Sequence, residues 1–298
     1  MYKSLAVLFI TTLSLTLLSG VAKTAEQAIT SEEFLWYRAY FPPVTIPSGA
    51  DAERGFFDNI MNYIIDNLPE YTHHRQTANF KRIINEMKKG GNSCCPSLYK
   101  TDAREKFISF SVPAVVVLPN GLITTKENKD KFEPYLNKEG KISLTSLLKN
   151  QGLTLGVSNG RVFSGGIDEV LQQYIGAKNI YARSGADVFK GLLSMLFLGR
   201  IDYTIGYPTE AKYFSQEQEE YKKYLFFPIE ENSILFTLGY VGCPKTAWGH
   251  KVIQNVDEIL LKNRDKEFFL SFYEEWLDDS TKPMYRSIIN NYFESEKK

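Results

Sequence analysis

Histidine, cysteine and tryptophan each occur only three times in these 298 residues. With histidines only at 73, 74 and 250, and no Cys-x-x-Cys spacing, a metal centre has few ligands to draw on. An excess of one charge is also missing. The 35 basic residues balance 35 acidic ones, so nothing suggests a broad basic face for nucleic acid. Beyond the N-terminus no apolar run approaches membrane-spanning length. No fixed-period repeat and no low-complexity tract occurs apart from a charged tail. Nothing marks a paired-carboxylate site, and no metal or other cofactor is expected.

What is present is ordinary for a folded chain: 43% hydrophobic and 23% charged residues, enough for one large or two modest domains. Aromatic rings are plentiful, with 18 Tyr and 20 Phe, and such rings fill cores or line clefts. At the N-terminus Lys3, the run Leu5–Leu18 and the small residues Gly20-Val21-Ala22 read as a secretory signal peptide over 1–22, cleaved after Ala22. The mature protein is therefore expected to be soluble and periplasmic. Export permits a disulfide. Either Cys94 or Cys95 can pair with Cys243; a vicinal Cys94–Cys95 bond is strained, and three free thiols are the remaining arrangement.

Along the chain, Phe34–Ile46 starts as an aromatic strand and breaks at Pro42-Pro43. Gly55 opens a helix whose apolar face runs from Phe56 to Leu68, and Tyr71–Thr77 reads as a strand. Asn79 caps a second helix that Gly90-Gly91 ends. The stretch Gly90–Pro113 then reads as a short buried strand, a loop with Thr101 and Arg104, and another strand. A strand at Ala114–Leu118 follows. This alternation predicts an α/β layer.

Asn120-Gly121 starts a charged loop through Gly140, where the chain crosses to a second α/β unit. That unit holds a short helix ending at Leu147-Leu148, the strand Leu153–Val157, a polar turn Ser158–Arg161 and a helix from Ser164 or Gly165 to Tyr174. Then come a strand Ile180–Ala182, a buried helix Ala186–Leu198 and a strand Asp202–Gly206. The charged stretch Glu217–Lys223 reads as the return crossing. A strand Ser233–Val241 and three amphipathic helices close the chain. Two α/β lobes result: 23–119 with 229–298, and 120–228, with a cleft between them.

One arginine between two apolar strands offers five donors in a planar fork, suited to a carboxylate or phosphate. The alternative for Arg104 is a surface pair with Asp102 or Glu105. The order Gly55–helix, Lys89-Gly90, Thr101-x-x-Arg104 and Phe110-Ser111-x-Pro113, followed by Gly199-x-x-Asp202 and Glu274-Glu275-Trp276, resembles the bacterial extracellular solute-binding proteins of the amino-acid-binding type (family 3) over about residues 30–280.

That resemblance implies a divergent member with a two-lobed, type II periplasmic-binding-protein fold of mixed, mostly parallel sheets, a Venus flytrap that closes about a hinge. It implies that Arg104 clamps a ligand carboxylate, with Thr101 assisting and Tyr99 where the family carries a small hydroxyl residue. The turn Ser158–Gly160 and the helix start at Ser164–Gly166 could offer N–H groups to an anion. The family's ammonium-binding Asp falls at Tyr207, with Glu210 close by. Without an acid there, the ligand is not an ordinary amino acid, and Trp36, Tyr37, Tyr40 and Phe41 favour an aromatic, cyclic or peptide-like anion. The expected partners are a small carboxylate-bearing solute and an ABC-transporter complex or sensor, with the protein itself a monomer.

Gly156-x-Ser158-x-Gly160 also matches a nucleophile elbow, with Asp202 and His250 following in hydrolase order. An exported serine hydrolase is thus the alternative. It lacks an HGGG-type loop, and Gly165-Gly166 interrupts the helix that should follow Ser158.

Overall fold

The computed structural model describes residues 32–298 apart from 164, 185–187, 217–222 and 297–298. The segment 1–22 expected to be a signal peptide lies outside the described residues, as do Ser164, Ala186 and nearly all of 217–223. No helix among the described residues is long and apolar enough to cross a membrane.

The first lobe starts with β1 (Glu32–Arg38), which buries Phe34 and Trp36. The chain turns at a cis Pro42-Pro43 bond into α1 (Phe56–Asp66). The turn is organised by the buried carboxylate of Asp58, which accepts from Ile46 N at 2.6 Å, Gly55 N at 3.2 Å and Arg38 Nη1 at 3.0 Å. A Cβ on Gly55 would lie 2.8 Å from both Asp58 Oδ2 and Val44 O, so only glycine lets the helix start this close to the turn. Then follow β2 (Tyr71–Thr77), α2 (Phe80–Lys89), β3 (Ser93–Leu98), α3 (Asp102–Glu105), β4 (Ile108–Phe110) and β5 (Val115–Val117). The predicted Thr101–Arg104 loop is thus one turn of helix, because Thr101 Oγ1 accepts from Arg104 N at 3.3 Å and caps it.

The second lobe holds β6 (Gly121–Thr125), α4 (Lys129–Phe132), α5 (Leu144–Lys149), β7 (Leu155–Ser158), α6 (Ile167–Gln172), β8 (Ile180–Arg183), α7 (Val188–Phe197), β9 (Tyr203–Gly206), α8 (Pro208–Ser215) and β10 (Tyr224–Phe227). β6 corrects the sequence reading, which placed Gly121 onward in a charged loop. All five of its residues are buried between β10 and β9. A run this short carries no periodicity, and the Asn-Gly turn signal before it and the charges after it hide it. A Cβ on Gly121 would lie 2.4 Å from the Phe226 ring, so the glycine serves close packing between strands.

The chain returns as β11 (Thr237–Pro244), then α9 (Ala247–Asn263), α10 (Glu267–Glu274) and α11 (Lys282–Glu296). The first sheet runs β2-β1-β3-β11-β4 with β5 also on β11, and the second runs β10-β6-β9-β7-β8. β1 is parallel to β2 and β3, and β7 to β8 and β9; β11 is antiparallel to its three partners. Because Tyr224–Phe227 pairs with β6, the chain stays in the second sheet through Phe227 and changes sheets between there and Thr237. This segment lies beside the outgoing one, where Asn232 Nδ2 donates to Asn120 O at 3.1 Å.

Of the adjacent cysteines it is Cys94 that bonds to Cys243, joining β3 to β11 across 149 positions. Cys95 falls on the other face of the strand, packed with Tyr37, Ile83 and Met87. Burial pushes its thiol up to about 11. Peptide mapping without reductant should give linked Cys94 and Cys243 peptides, with Cys95 alkylated only after denaturation; a Cys95–Cys243 peptide would contradict the assignment. Reduction should lower the unfolding free energy by about 2–5 kcal/mol in urea melts.

A second expectation comes from Glu231, whose carboxylate accepts from Leu144 N at 2.9 Å and Thr145 N at 2.8 Å at the start of α5. Partial burial raises its pKa, but the Thr145 and Leu144 donors outweigh that and hold it below the ordinary 4.5. Its stabilisation is therefore present above the unfolded value and lost as pH falls through the folded one. Glu231→Gln should be less stable than wild type at neutral pH, and the gap in denaturant melts should shrink on acidification. A gap independent of pH would refute this.

Candidate ligand-binding site

The one-turn helix α3 folds Arg104 back over the preceding strand end. Arg104 Nη1 donates to Tyr99 O at 2.8 Å, and the residue as a whole is half-buried. Neither predicted surface partner holds it; Glu105 pairs with Lys100 at 2.9 Å instead. Arg104 therefore faces a cavity of about 170 Å³. This is smaller than the roughly 300–1,000 Å³ of pockets for drug-sized ligands. From the first lobe the cavity takes Phe41, Val44, Phe56, Phe57, Phe80 and Leu98, with Ser97, Tyr99, Val117 and Gly239. From the second it takes Tyr207, Thr209 and Glu210, at the start of α8. A Cβ on Gly239 would lie 2.5 Å from the Phe57 ring, so a bare backbone there gives that ring its place.

The second wall is built on a residue that sequence reasoning passed over. Arg161 follows the turn after β7 and sends Nη1 to Glu210 Oε1 at 3.1 Å and Nη2 to Glu210 Oε2 at 2.6 Å. Nη2 also donates to Asn120 Oδ1 at 3.1 Å, and the guanidinium lies 5.4–5.5 Å from the ring centres of Phe163, Phe189 and Tyr207. Burial works against the charge on Arg161, but the Glu210 carboxylate more than offsets it and raises the arginine pKa. Glu210 Oε2 also accepts from Tyr207 N at 3.1 Å, closing the first turn of α8. The signal for Arg161 was the one used for Arg104: a single arginine beside an apolar strand.

Tyr207 faces Tyr99 across the cavity, their hydroxyl oxygens 3.4 Å apart. Burial, then the nearby Tyr99, push the Tyr207 hydroxyl well above its ordinary value, so it stays a neutral phenol.

Of the residues singled out from sequence, Arg104, Tyr99, Tyr207, Glu210 and Phe41 line this one cavity. Thr101 is exposed and spends its hydroxyl on capping α3. Tyr40 is 56% exposed and does not line it, whereas its neighbour Phe41 does. Trp36 and Tyr37 are buried in the core. Ser158 ends β7 and lines a separate groove with Asp168 and Tyr174. The hydrolase constellation is not assembled: His250 Nδ1 meets Ser109 Oγ at 3.1 Å, and Asp202 accepts from Thr154 N at 2.9 Å and Lys131 at 3.1 Å. Among the described residues no group of His, Cys, Asp and Glu is placed to hold a metal.

No protein-family model matches the sequence. No curated protein is detectably similar to it. Solved structures are similar in fold. One is a Bacillus subtilis protein named a probable amino-acid ABC transporter extracellular-binding protein, with TM-score 0.60 and 14% identity over 84% of this chain and 99% of that one. The Venus-flytrap fold is the one this chain adopts. A second substrate-binding domain of Lactococcus lactis GlnP, in open conformation, gives TM-score 0.57 and 16% identity over 83% and 96% of the two chains. A histidine kinase sensor domain with similarity to periplasmic binding proteins gives 0.53 and 13% over 83% and 96%. At these identities the likeness is one of fold.

The buried Arg161–Glu210 pair leads to a stability prediction. Glu210→Ala leaves a mostly buried guanidinium without its carboxylate and should cost about 3–5 kcal/mol in denaturant melts. Arg161→Met with Glu210→Leu should recover much of that loss. A double variant no more stable than Glu210→Ala would show that the pair is not what the wall rests on.

Proposed function

We propose that this chain is an exported, non-enzymatic, monomeric solute-binding protein that captures a small carboxylate-bearing solute between two lobes. Lobe one comprises 23–119 and 229–298, and lobe two 120–228. The observation that carries this reading is a small, apolar-walled cavity lined from both lobes, with a half-buried arginine on one wall. Arg104 grips the carboxylate through the N–H groups it does not spend on Tyr99, and Tyr99 and Tyr207 contact the solute from opposite sides. Thr101 supports the grip indirectly by capping the turn that aims Arg104. Tyr40 and Ser158, placed outside the cavity, have no part in the grip.

The fold similarity to a transporter-associated binding protein and to a kinase sensor domain supports two destinations for the loaded protein, an ABC-transporter complex or a membrane sensor. Export by a signal peptide cleaved after Ala22 would put the protein in the periplasm. No observation favours the hydrolase reading.

Carboxylate solutes screened by thermal shift should raise the melting temperature of refolded, solute-free protein by mass action. A shift should be accompanied by a smaller radius of gyration in X-ray scattering as the lobes close. Arg104→Ala should weaken binding by about 1.5–3 kcal/mol, the worth of hydrogen bonds to a charged group. Ser158→Ala should bind normally. An Arg104→Ala variant with wild-type affinity would remove the clamp, and turnover of an ester lost in Ser158→Ala would replace the binding reading with the hydrolase.

A further inference from the structure

We infer that the solute is an apolar, ring-sized monocarboxylate that carries no amine; this deepens the solute-binding reading and rests on it. Among the described residues lining the cavity, Glu210 is the single acid. Both its oxygens are taken by Arg161, at 3.1 and 2.6 Å, and one also by Tyr207 N at 3.1 Å. The two side chains are only 17% and 6% exposed. An ammonium brought into the cavity would have to share that carboxylate with a guanidinium already seated on it, or be buried unpaired. With Arg161 and Glu210 neutralising one another, Arg104 is the remaining charge on the wall, and the cavity is complementary to one negative charge.

The rest of the lining matches an apolar body. Phe41, Phe56, Phe57, Phe80, Leu98 and Val117 surround a space of about 170 Å³. Ser97 adds a second polar contact: it lines the same cavity, is 8% exposed, and its hydroxyl has only the weakly hydrogen-bonding Cys95 thiol beside it. A thiol is a weak partner for a hydroxyl, and a solute oxygen would be a stronger one.

The test is isothermal titration of the purified protein, refolded to release any carried-over solute, with 3-phenylpropionate, L-phenylalanine and 2-phenylethylamine. These share one ring and differ in charge. 3-Phenylpropionate should bind, L-phenylalanine should be weaker by about tenfold or more, and the amine should not compete. L-Phenylalanine binding as tightly as 3-phenylpropionate overturns the inference. Arg161→Met, which uncovers Glu210, should move the preference toward L-phenylalanine by about tenfold, and an unchanged ratio also overturns it. If none of the three binds, the ligand class is wrong. A thermal shift with some other solute would then leave the solute-binding reading standing, whereas a flat response across a broad panel, with a cooperative melt, would take both.

Discussion

Strand β11 pairs antiparallel with β3, β4 and β5 together and carries the cysteine that is bonded to Cys94. It is made only after the chain has left the first sheet, built the second and returned. The first lobe is therefore incomplete until the last quarter of the sequence is in place. Two neighbouring crossings follow from that topology, and the hydrogen bond from Asn232 to Asn120 ties them together. Residues from both lobes line one space. Gly239, within β11, leaves room for the Phe57 ring on the wall of that space, so the strand that completes the lobe also shapes the cavity.

The two arginines near the cavity show how placement decides what a charge can do. Arg161 sits against three aromatic faces and would be costly there alone. It is kept by a bidentate carboxylate and by Asn120, which belongs to the outgoing crossing. It thus links the crossing to the cavity wall, and its charge is already satisfied. Arg104 has one hydrogen bond to a neutral carbonyl among the described residues, and the acid on the other wall, Glu210, is taken by Arg161. The two guanidinium groups therefore differ: that of Arg161 is held within the wall, whereas that of Arg104 is bonded only to a backbone carbonyl among the described residues.

Much of the first lobe was legible from local patterns. The apolar face from Phe56, the Asn79 cap and the Gly90 stop are written in neighbouring residues, and they fold as read. Strand β6 was not legible, because five buried residues carry no period and an Asn-Gly pair precedes them. Arg161 stands beside an apolar strand as Arg104 does, but what holds it there was not legible. Its partners Asn120 and Glu210 lie 41 and 49 positions away, and no local spacing connects them. Of the aromatic set, Phe41 lines the cavity while its neighbour Tyr40 is 56% exposed, a difference between adjacent rings that local sequence does not show.

The sequence by itself determined the alternation of strands and helices, the pair of α/β units and the conspicuous arginine after β3, since each depends on residues within a turn or two. Tertiary structure decided which cysteine bonds to Cys243, that Glu210 is paired with Arg161, and which rings line the cavity. Those outcomes depend on which face of a strand a side chain takes and on what the second sheet brings opposite it. Both are set by pairings between residues distant in sequence, which local propensity does not encode.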